Sequence, residues 1–598
     1  MRHAIYTTNV VEARHAAQGR QDQRSILQRK CLGEAAGSDF GPQPEALEKE
    51  DPQLARYLPH ITKPLPGTHR RRGPLSANEK VLTLWFKCSP ALTAALLKIL
   101  KPGSDTLCRA SLCCLLPEHD LYRMPISFIS HGAAGTVTGS KHLIEVERDG
   151  RIFRVLLDCG MFQGEAVRDA DRDPNRSFGF DATKIDVLVL SHAHIDHSGL
   201  VPRLVAQGFN GPIWATPATR DLCAIMLADS AHIQEYDHAY DLKRARKRGR
   251  TLEFDEPLYT KDDVAPALEL FQTAGYEKAT LIGPGITLNY TDAGHILGSA
   301  AVHLDIEDGD RVVRFSFTGD VGRYVDRLLP EPMPFRQADV LVCESTYGDR
   351  DHQPVKEAED ELLQHVLDVC VKGGGKLLIP AFSIGKTQEI LYTLNSLSNE
   401  GRMPRIPVFV DSPLAISATE ISRAHSTLFR EAVRAELASD PDLFTFPGVE
   451  FVRAADRSKQ LNGLKEPCII ISASGMMEAG RIRHHLRNEL ADPANAVLAV
   501  GFCAPGTLGA KLLDGATEVN IFGDVIPVRA RILRMEFYSA HADRGELVRY
   551  LACQKPAHVK RLFLVHGVDH SLNGLRDLLT TKGFTNITIP ERGQRFVL

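Results

Sequence analysis

The chain has 598 residues, 43% hydrophobic and 24% charged, with a formal net charge of −4. That balance fits a folded protein of several domains, at roughly 100–200 residues each. It excludes a globally basic nucleic-acid binder but leaves a local basic patch open. No apolar run reaches the roughly 18–20 residues of a membrane span, and the N-terminus lacks the charged-then-apolar layout of a secretion signal. The twelve cysteines are scattered without a Cys-x-x-Cys pair, so reduced thiols are expected rather than disulfides or a zinc ribbon.

Residues 1–123 are rich in Gln, Arg, Pro and Gly, include "HRRRG" (His69–Gly73), and show no sustained strand or helix period. A disordered arm or atypical extension is expected there, with the main domain starting at Met124. From that point "MPISFISHGAAGTVTGSKHLIEVE" gives a strand, a glycine turn and a second strand. Apolar runs then end directly in polar or glycine-containing turns: "FRVLLDCG", "IDVLVLSHAH", "RFSFTGD" and "DVLVCESTYG". Such runs suit buried strands that carry functional groups at their ends. Helices are expected over Ala218–Gln234 and Val355–Lys372. A second block, about 351–528, alternates helices with "GKLLIPAF", "IPVFVDSP", "PCIIISAS" and "NAVLAVGF", the rhythm of a parallel α/β sheet. The tail from Arg529 returns to strand, loop and helix through "RMEFYSAHAD" and "RLFLVHG".

The densest chemistry is "LSHAHIDHSGL" (Leu190–Leu200), in which His192, His194, Asp196 and His197 follow an apolar strand. A lone histidine at a strand end is ordinarily a hydrogen-bonded polar residue, but this cluster points to metal. Members of H-x-H-x-D-H on a tight loop can face two ions side by side. Four ligands are too few to close two sites, because zinc takes about four per ion. Further ligands are therefore expected at other strand ends: His295 in "TDAGHILGSA", Asp320 in "FTGDVG" and His566 in "LFLVHG". Asp320 suits a bridging carboxylate between cations about 3.5–4 Å apart. Asp158 in "LLDCG" suits a carboxylate that fixes a ligand imidazole by hydrogen bonding.

With Asp158, His192–His197, His295 and Asp320 as four ordered motifs, and with "CESTYG", "SAHAD" and "VHG" as three more, the sequence resembles the metallo-β-lactamase fold, in its β-CASP branch of nucleases. The resemblance covers nearly all of Met124–Leu598 and none of residues 1–123. It implies an α/β protein with a four-layer αβ/βα core, interrupted by an inserted α/β β-CASP cap. The implied divisions are 124–332 for the first part of the core, 333–528 for the cap and 529–598 for the completing segment. The layout is most similar to the short bacterial type related to the pre-mRNA 3′-end-processing endonuclease.

Carried over motif by motif, one zinc ion would take His192, His194, His295 and Asp320. The other would take Asp196, His197, His566 and the shared Asp320. The implied activity is hydrolysis of RNA phosphodiester bonds by a bridging hydroxide, in RNA processing or decay. His541 would be the general acid for the leaving oxygen, oriented by Glu344; Asp196 counts among both the ligands and the catalytic groups. The branch that acts on DNA typically has valine in the last motif, so His566 favours RNA. A DNA-acting nuclease and a small-molecule ester or thioester hydrolase are the alternatives, and a catalytically dead scaffold would have lost ligands.

"PAFSIGKTQE" resembles a Walker A loop but has Pro380 where the first glycine belongs, so ATP is not expected. Ser383 and Lys386 in that turn, and Ser474 and Gly475 in "SASGMMEAGR", are candidates to grip a substrate phosphate. The run "KRARKRGR" (Lys243–Arg250) is a solvated helix face or part of a nucleic-acid path. The expected partner is RNA, the expected location cytoplasmic, no membrane is expected, and a homo-oligomer is compatible with the sequence.

Overall fold

The computed structural model describes residues 125–598 apart from 165–172, 248, 250–253, 255, 353–357, 502, 505 and 536–538. The extension expected over residues 1–123 lies outside the described residues.

Two seven-stranded sheets form the core. The first begins as an antiparallel meander, Ile126–Gly132, Lys141–Arg148 and Arg151–Leu157, and continues in parallel through Val187–Val189, Ile213–Ala215 and Phe271–Thr273. The last strand of the chain, Arg595–Val597, pairs with Ile126–Gly132 at the opposite edge. The second sheet runs antiparallel through Thr280–Gly283, Ile286–Asp292, Ala300–Asp308 and Arg311–Phe317, then parallel through Val340–Glu344, Arg561–Val565 and Ile587–Thr588.

Alternation along the strands sorts the two faces. Val155, Val187, Val189, Val342, Phe315 and Phe563 meet between the sheets in one apolar layer. Their neighbours Leu156, Leu188 and Leu190 point outward to the layer containing Leu204, Leu222 and Leu227 of the helices Val201–Ala206 and Pro217–Lys247. On the far side Leu341, Cys343, Leu562 and Leu564 meet the helices Arg544–Leu551 and Asp569–Thr581 through Leu547, Leu572 and Leu575. The result is the four-layer αβ/βα core. Truncating a side chain buried in the middle layer, such as Phe563, would cost about 3–5 kcal/mol in lost transfer energy and cavity.

A third, six-stranded sheet forms the cap. It is parallel throughout, in the order Val449–Phe451, Val408–Val410, Ile469–Ser472, Leu377–Pro380, Ala496–Ala499 and Arg531–Arg534. The helices Lys386–Asn399 and Pro413–Ala424 contribute Ile390, Leu391 and Ile416 to the layer shared with the core. The helices Ile482–Glu489 and Leu508–Leu513 cover the other face. His425, which caps the end of Pro413–Ala424, bonds Asp221 of the long core helix at 2.8 Å.

Two strands near the expected edges of the cap are placed by their pairing. Val340–Glu344, which the sequence places inside it, pairs with core strands on both sides. Arg531–Arg534, which the sequence assigns to the completing segment, instead closes the cap sheet beside Ala496–Ala499. Sequence alone does not choose a strand's partners; here the ladders do. The helix expected over Ala218–Gln234 runs from Pro217 to Lys247, because the basic run after Leu242 is made of good helix formers and suits a helix C-terminus. Of Val355–Lys372, the described part is an α-helix over Ala358–Val366 and a π-helical turn over Leu367–Lys372.

Candidate active site

Five core strands end at one place. His192 follows Val187–Val189, His295 follows Ile286–Asp292 and Asp320 follows Arg311–Phe317. Glu344 ends its strand, and His566 follows Arg561–Val565 directly. Asp196 and His197 lie in the single helical turn Ile195–Ser198. That turn presses against the backbone at Gly160, where an added Cβ would stand 1.6 Å from the Asp196 carbonyl oxygen. Asp158 and His566 both have left-handed backbones, at φ 58° and 53°. This conformation costs non-glycine residues on the order of 1 kcal/mol and is retained where surrounding structure enforces it.

All seven expected metal ligands are brought together. His192, His194, His295 and Asp320 present ligand atoms within 4.8 Å of one another, and so do Asp196, His197 and His566. Asp320 Oδ2 joins the two groups: it lies 3.5 Å from His192 Nε2, 3.5 Å from His295 Nε2 and 3.3 Å from His197 Nε2. Within the groups His194 Nδ1 is 3.1 Å from both His192 Nε2 and His295 Nε2, and His197 Nε2 is 3.1 Å from His566 Nε2.

These spacings suit cation coordination. Two atoms each about 2.0–2.1 Å from a tetrahedral zinc stand about 3.3–3.4 Å apart. The outer ring atoms are tied so that lone pairs face inward. His295 Nδ1 donates to the Ala540 carbonyl at 3.0 Å, and His197 Nδ1 to Asp158 Oδ2 at 2.7 Å. His192 Nδ1 faces Ser191 Oγ at 3.0 Å, and that hydroxyl in turn donates to Asp158. In its neutral form each of these imidazoles presents Nε2 as an acceptor. Asp320 Oδ1 is buried without a hydrogen-bond partner, which a cation would satisfy.

Electrostatics divides the cluster. Burial, reinforced by neighbouring imidazoles, holds His192 and His295 well below the usual histidine range. Burial likewise takes His194 down to about 4, against the pull of Asp196 and Asp320. These three rings are neutral and could serve as ligands. At His197 burial also pulls down, but Asp320 and Asp158 outweigh it and hold the ring well above its ordinary value. Asp320 itself lies well below the carboxylate range, where His197, His566 and His541 overcome the cost of burial.

His541 stands at the rim, part-buried. Its Nδ1 donates to Glu344 Oε1 at 3.3 Å and lies 3.8 Å from Asp320 Oδ2. Burial opposes its charge, but Glu344 and Asp320 prevail and raise it to about 9. Held by Glu344 in this way, the His541 ring carries a proton to give. Glu344 is itself fixed by the Val321 amide at 2.7 Å and by the Thr346 hydroxyl at 2.7 Å.

The expected phosphate turns behave differently. Ser383 is buried with its hydroxyl 3.2 Å from that of Ser412. Lys386 does not present its amine to a ligand: it is buried and donates to Glu389 Oε2 at 2.7 Å. Burial raises that carboxyl to about 7, against the pull of Lys386. Ser474 Oγ accepts from the Ala479 amide at 3.3 Å, and Gly475 makes room for the Phe382 ring, which an added Cβ would meet at 2.7 Å. The turn does reach the site through Gly385 (φ 84°), whose Cβ would lie 3.1 Å from Ile296, next to His295.

Sequence reasoning missed four supporting residues. Ser191 and Ser140 both donate to Asp158, and Thr346 holds Glu344. His352 Nε2 donates to the His541 carbonyl at 3.2 Å, while its own amide donates to Asp543. Ser191 and Thr346 could have been found as hydroxyls beside the cluster and the acidic motif; nothing in spacing marks His352.

Buried lone pairs converging on an anionic centre, with a proton donor at the rim, define the class as a metal-dependent hydrolase. Residues 146–362 match the metallo-beta-lactamase superfamily, 387–512 the Beta-Casp domain, and 525–590 the Zn-dependent metallo-hydrolase RNA specificity domain. Ribonuclease TTHA0252 of Thermus thermophilus is 36% identical over 456 residues, covering 76% of this chain and 96% of its own. An RNase J-like protein of Methanocaldococcus jannaschii is 32% identical, covering 71% and 89%. The transcription termination factor FttA of the same organism is 32% identical, covering 69% of this chain and 63% of its own. The chain belongs to the metallo-β-lactamase superfamily, in its β-CASP branch of metal-dependent nucleases.

Proposed function

We propose that this protein is a zinc-dependent ribonuclease that hydrolyses RNA phosphodiester bonds at a two-ion centre. The observation that carries the reading is the pairing of His541 with Glu344 beside a shared Asp320: a lactone or thioester hydrolase has no need of a separately held proton at the rim. One ion would be held by His192, His194, His295 and Asp320, the other by Asp196, His197, His566 and Asp320. When bound, two such cations lower the pKa of water and neutralise charge on the phosphate oxygens.

The rest of the chemistry belongs to the chain. Asp158 accepts from His197 and fixes its ring, as the Ala540 carbonyl does for His295. Glu344 keeps His541 protonated at Nδ1 and favours the imidazolium, which gives a proton to the leaving 3′-oxygen. The match over 525–590 to an RNA specificity domain and the ribonuclease names of relatives support RNA over DNA. The cap extends from after Glu344 to Arg534 in this reading. A cytoplasmic location accords with two observations: among the described residues no helix is long and apolar enough to cross a membrane, and seven cysteines are free thiols.

The test is incubation of the purified protein with internally labelled RNA, matched single-stranded DNA, and lactone and thioester probes, each with and without a chelator. RNA cut in a chelator-sensitive way, with the other substrates spared, is expected. Hydrolysis of a lactone or thioester without RNA cleavage would overturn the reading.

A further inference from the structure

The long core helix Pro217–Lys247 starts beside the active site. The hydroxyls of Thr216 and Thr219 bond the carbonyl of Gly298, in the loop that carries His295. Its distal half leads away, and it is unlike the rest of the surface. Three aromatic side chains among the described residues are exposed: Tyr236 at 68%, Tyr240 at 56% and Phe522 at 43%. Two of them lie one turn apart on this helix. At about 100° per residue, Tyr236, Tyr240, Lys243, Arg244 and Lys247 fall within an arc of about 100°. All five are exposed, and from Tyr236 to Lys247 no carboxylate falls inside that arc. In a chain of net charge −4, this is a concentrated cationic and aromatic stripe.

The third exposed aromatic lies on the cap. Phe522 is stacked on His484 at 4.6 Å, and the Arg483 guanidinium covers its ring at 4.4 Å. Tyr236 lies about 26 Å along the helix axis from Thr219, and Lys247 about 42 Å, at ~1.5 Å per residue.

We infer that the Tyr236–Lys247 face of this helix is a track for single-stranded RNA distant from the scissile bond, with bases stacked on the rings and phosphates on the cations. The inference rests on the ribonuclease reading and adds where the substrate's arm is held. Stacking on aromatic rings tolerates any base, and cations following the backbone supply the rest of the affinity. An apolar partner would not call for three cations in the same arc, whereas a polyanion does. Such a track acts on long substrates and is out of reach of short ones.

Two variants of the full chain test it, Tyr236→Ala/Tyr240→Ala and Lys243→Gln/Arg244→Gln/Lys247→Gln; all five side chains are solvent-exposed, so melting temperatures should match the parent. Binding is measured in a His541→Ala background to unstructured RNAs of about 30 and about 4 nucleotides, the first exceeding the 4–16 nucleotides of a typical single-strand site. Cleavage of both RNAs is measured in the otherwise unaltered chain. The tyrosine pair should weaken binding of the long RNA by about 30-fold or more. The triple variant should lower the slope of log affinity against log salt by about 2. Cleavage of the short RNA should stay unchanged. Wild-type affinity of both variants for the long RNA would overturn the track while leaving the ribonuclease reading intact. Unchanged RNA binding with altered sedimentation would assign the face to a second copy of the chain and overturn it too. Failure of the parent to cleave either RNA would remove the ribonuclease reading and the track with it.

Discussion

The core and the cap both place polar side chains where a parallel strand runs into a helix, yet only the core turns them into chemistry. At the core strand ends His192, His295, Asp320 and His566 turn their ring or carboxylate atoms toward one another, and they converge from distant parts of the chain. At the cap strand Leu377–Pro380 the equivalent cation, Lys386, finds Glu389 one turn along its own helix and is buried with it. The difference teaches that a strand-end position is permissive, and that what decides presentation is whether the i+3 or i+4 neighbour quenches the group.

The largest effect should come from the shared anion. Asp320→Ala removes the atom common to both ligand groups, so bound zinc and RNA cleavage should both fall, cleavage by about 1000-fold or more; near-normal zinc content by elemental analysis would break the convergence argument. Next, His541→Ala should reduce cleavage by about 100- to 10,000-fold while sparing the metal. Glu344→Gln sharpens the same point through pH. Removing the carboxylate lowers the His541 pKa, so the acid form is lost at lower pH and the alkaline limb of the rate profile should move down; an unmoved limb would show that Glu344 does not govern the acid. Ser191→Ala, which frees one oxygen of Asp158, should weaken zinc binding by about 10- to 100-fold in competition with a chelating dye. On the cap side, Lys386→Ala should leave cleavage of a short RNA unchanged per folded molecule. It strands Glu389 without its partner and should cost about 3–5 kcal/mol in denaturant unfolding. A loss of RNA affinity without loss of stability would restore Lys386 as a phosphate contact.

The candidate ligand positions stood out in the sequence because His192, His295, Asp320 and His566 each come just after an apolar run, and such runs end where a sheet opens to a cleft. The motif order then carried the fold. Domain edges were not legible: Val340–Glu344 and Arg531–Arg534 read as generic strands, and only the ladders show that one belongs to the core and the other to the cap. Lys386 misled because a Gly-Lys-Thr turn reads the same whether its lysine faces solvent or Glu389. His352 left no trace, since its bond to the His541 carbonyl is a contact across 189 positions with no local pattern behind it.

The proposed division of labour is between histidines that would hold metal and one, His541, that would deliver a proton. Equilibrium dialysis against zinc, run in parallel on the wild type and on His541→Ala, tests it most directly. Two ions per chain in both, with RNA cleavage lost only in the variant, is the expected result. One ion fewer in His541→Ala would make His541 a ligand and contradict its assignment as the acid.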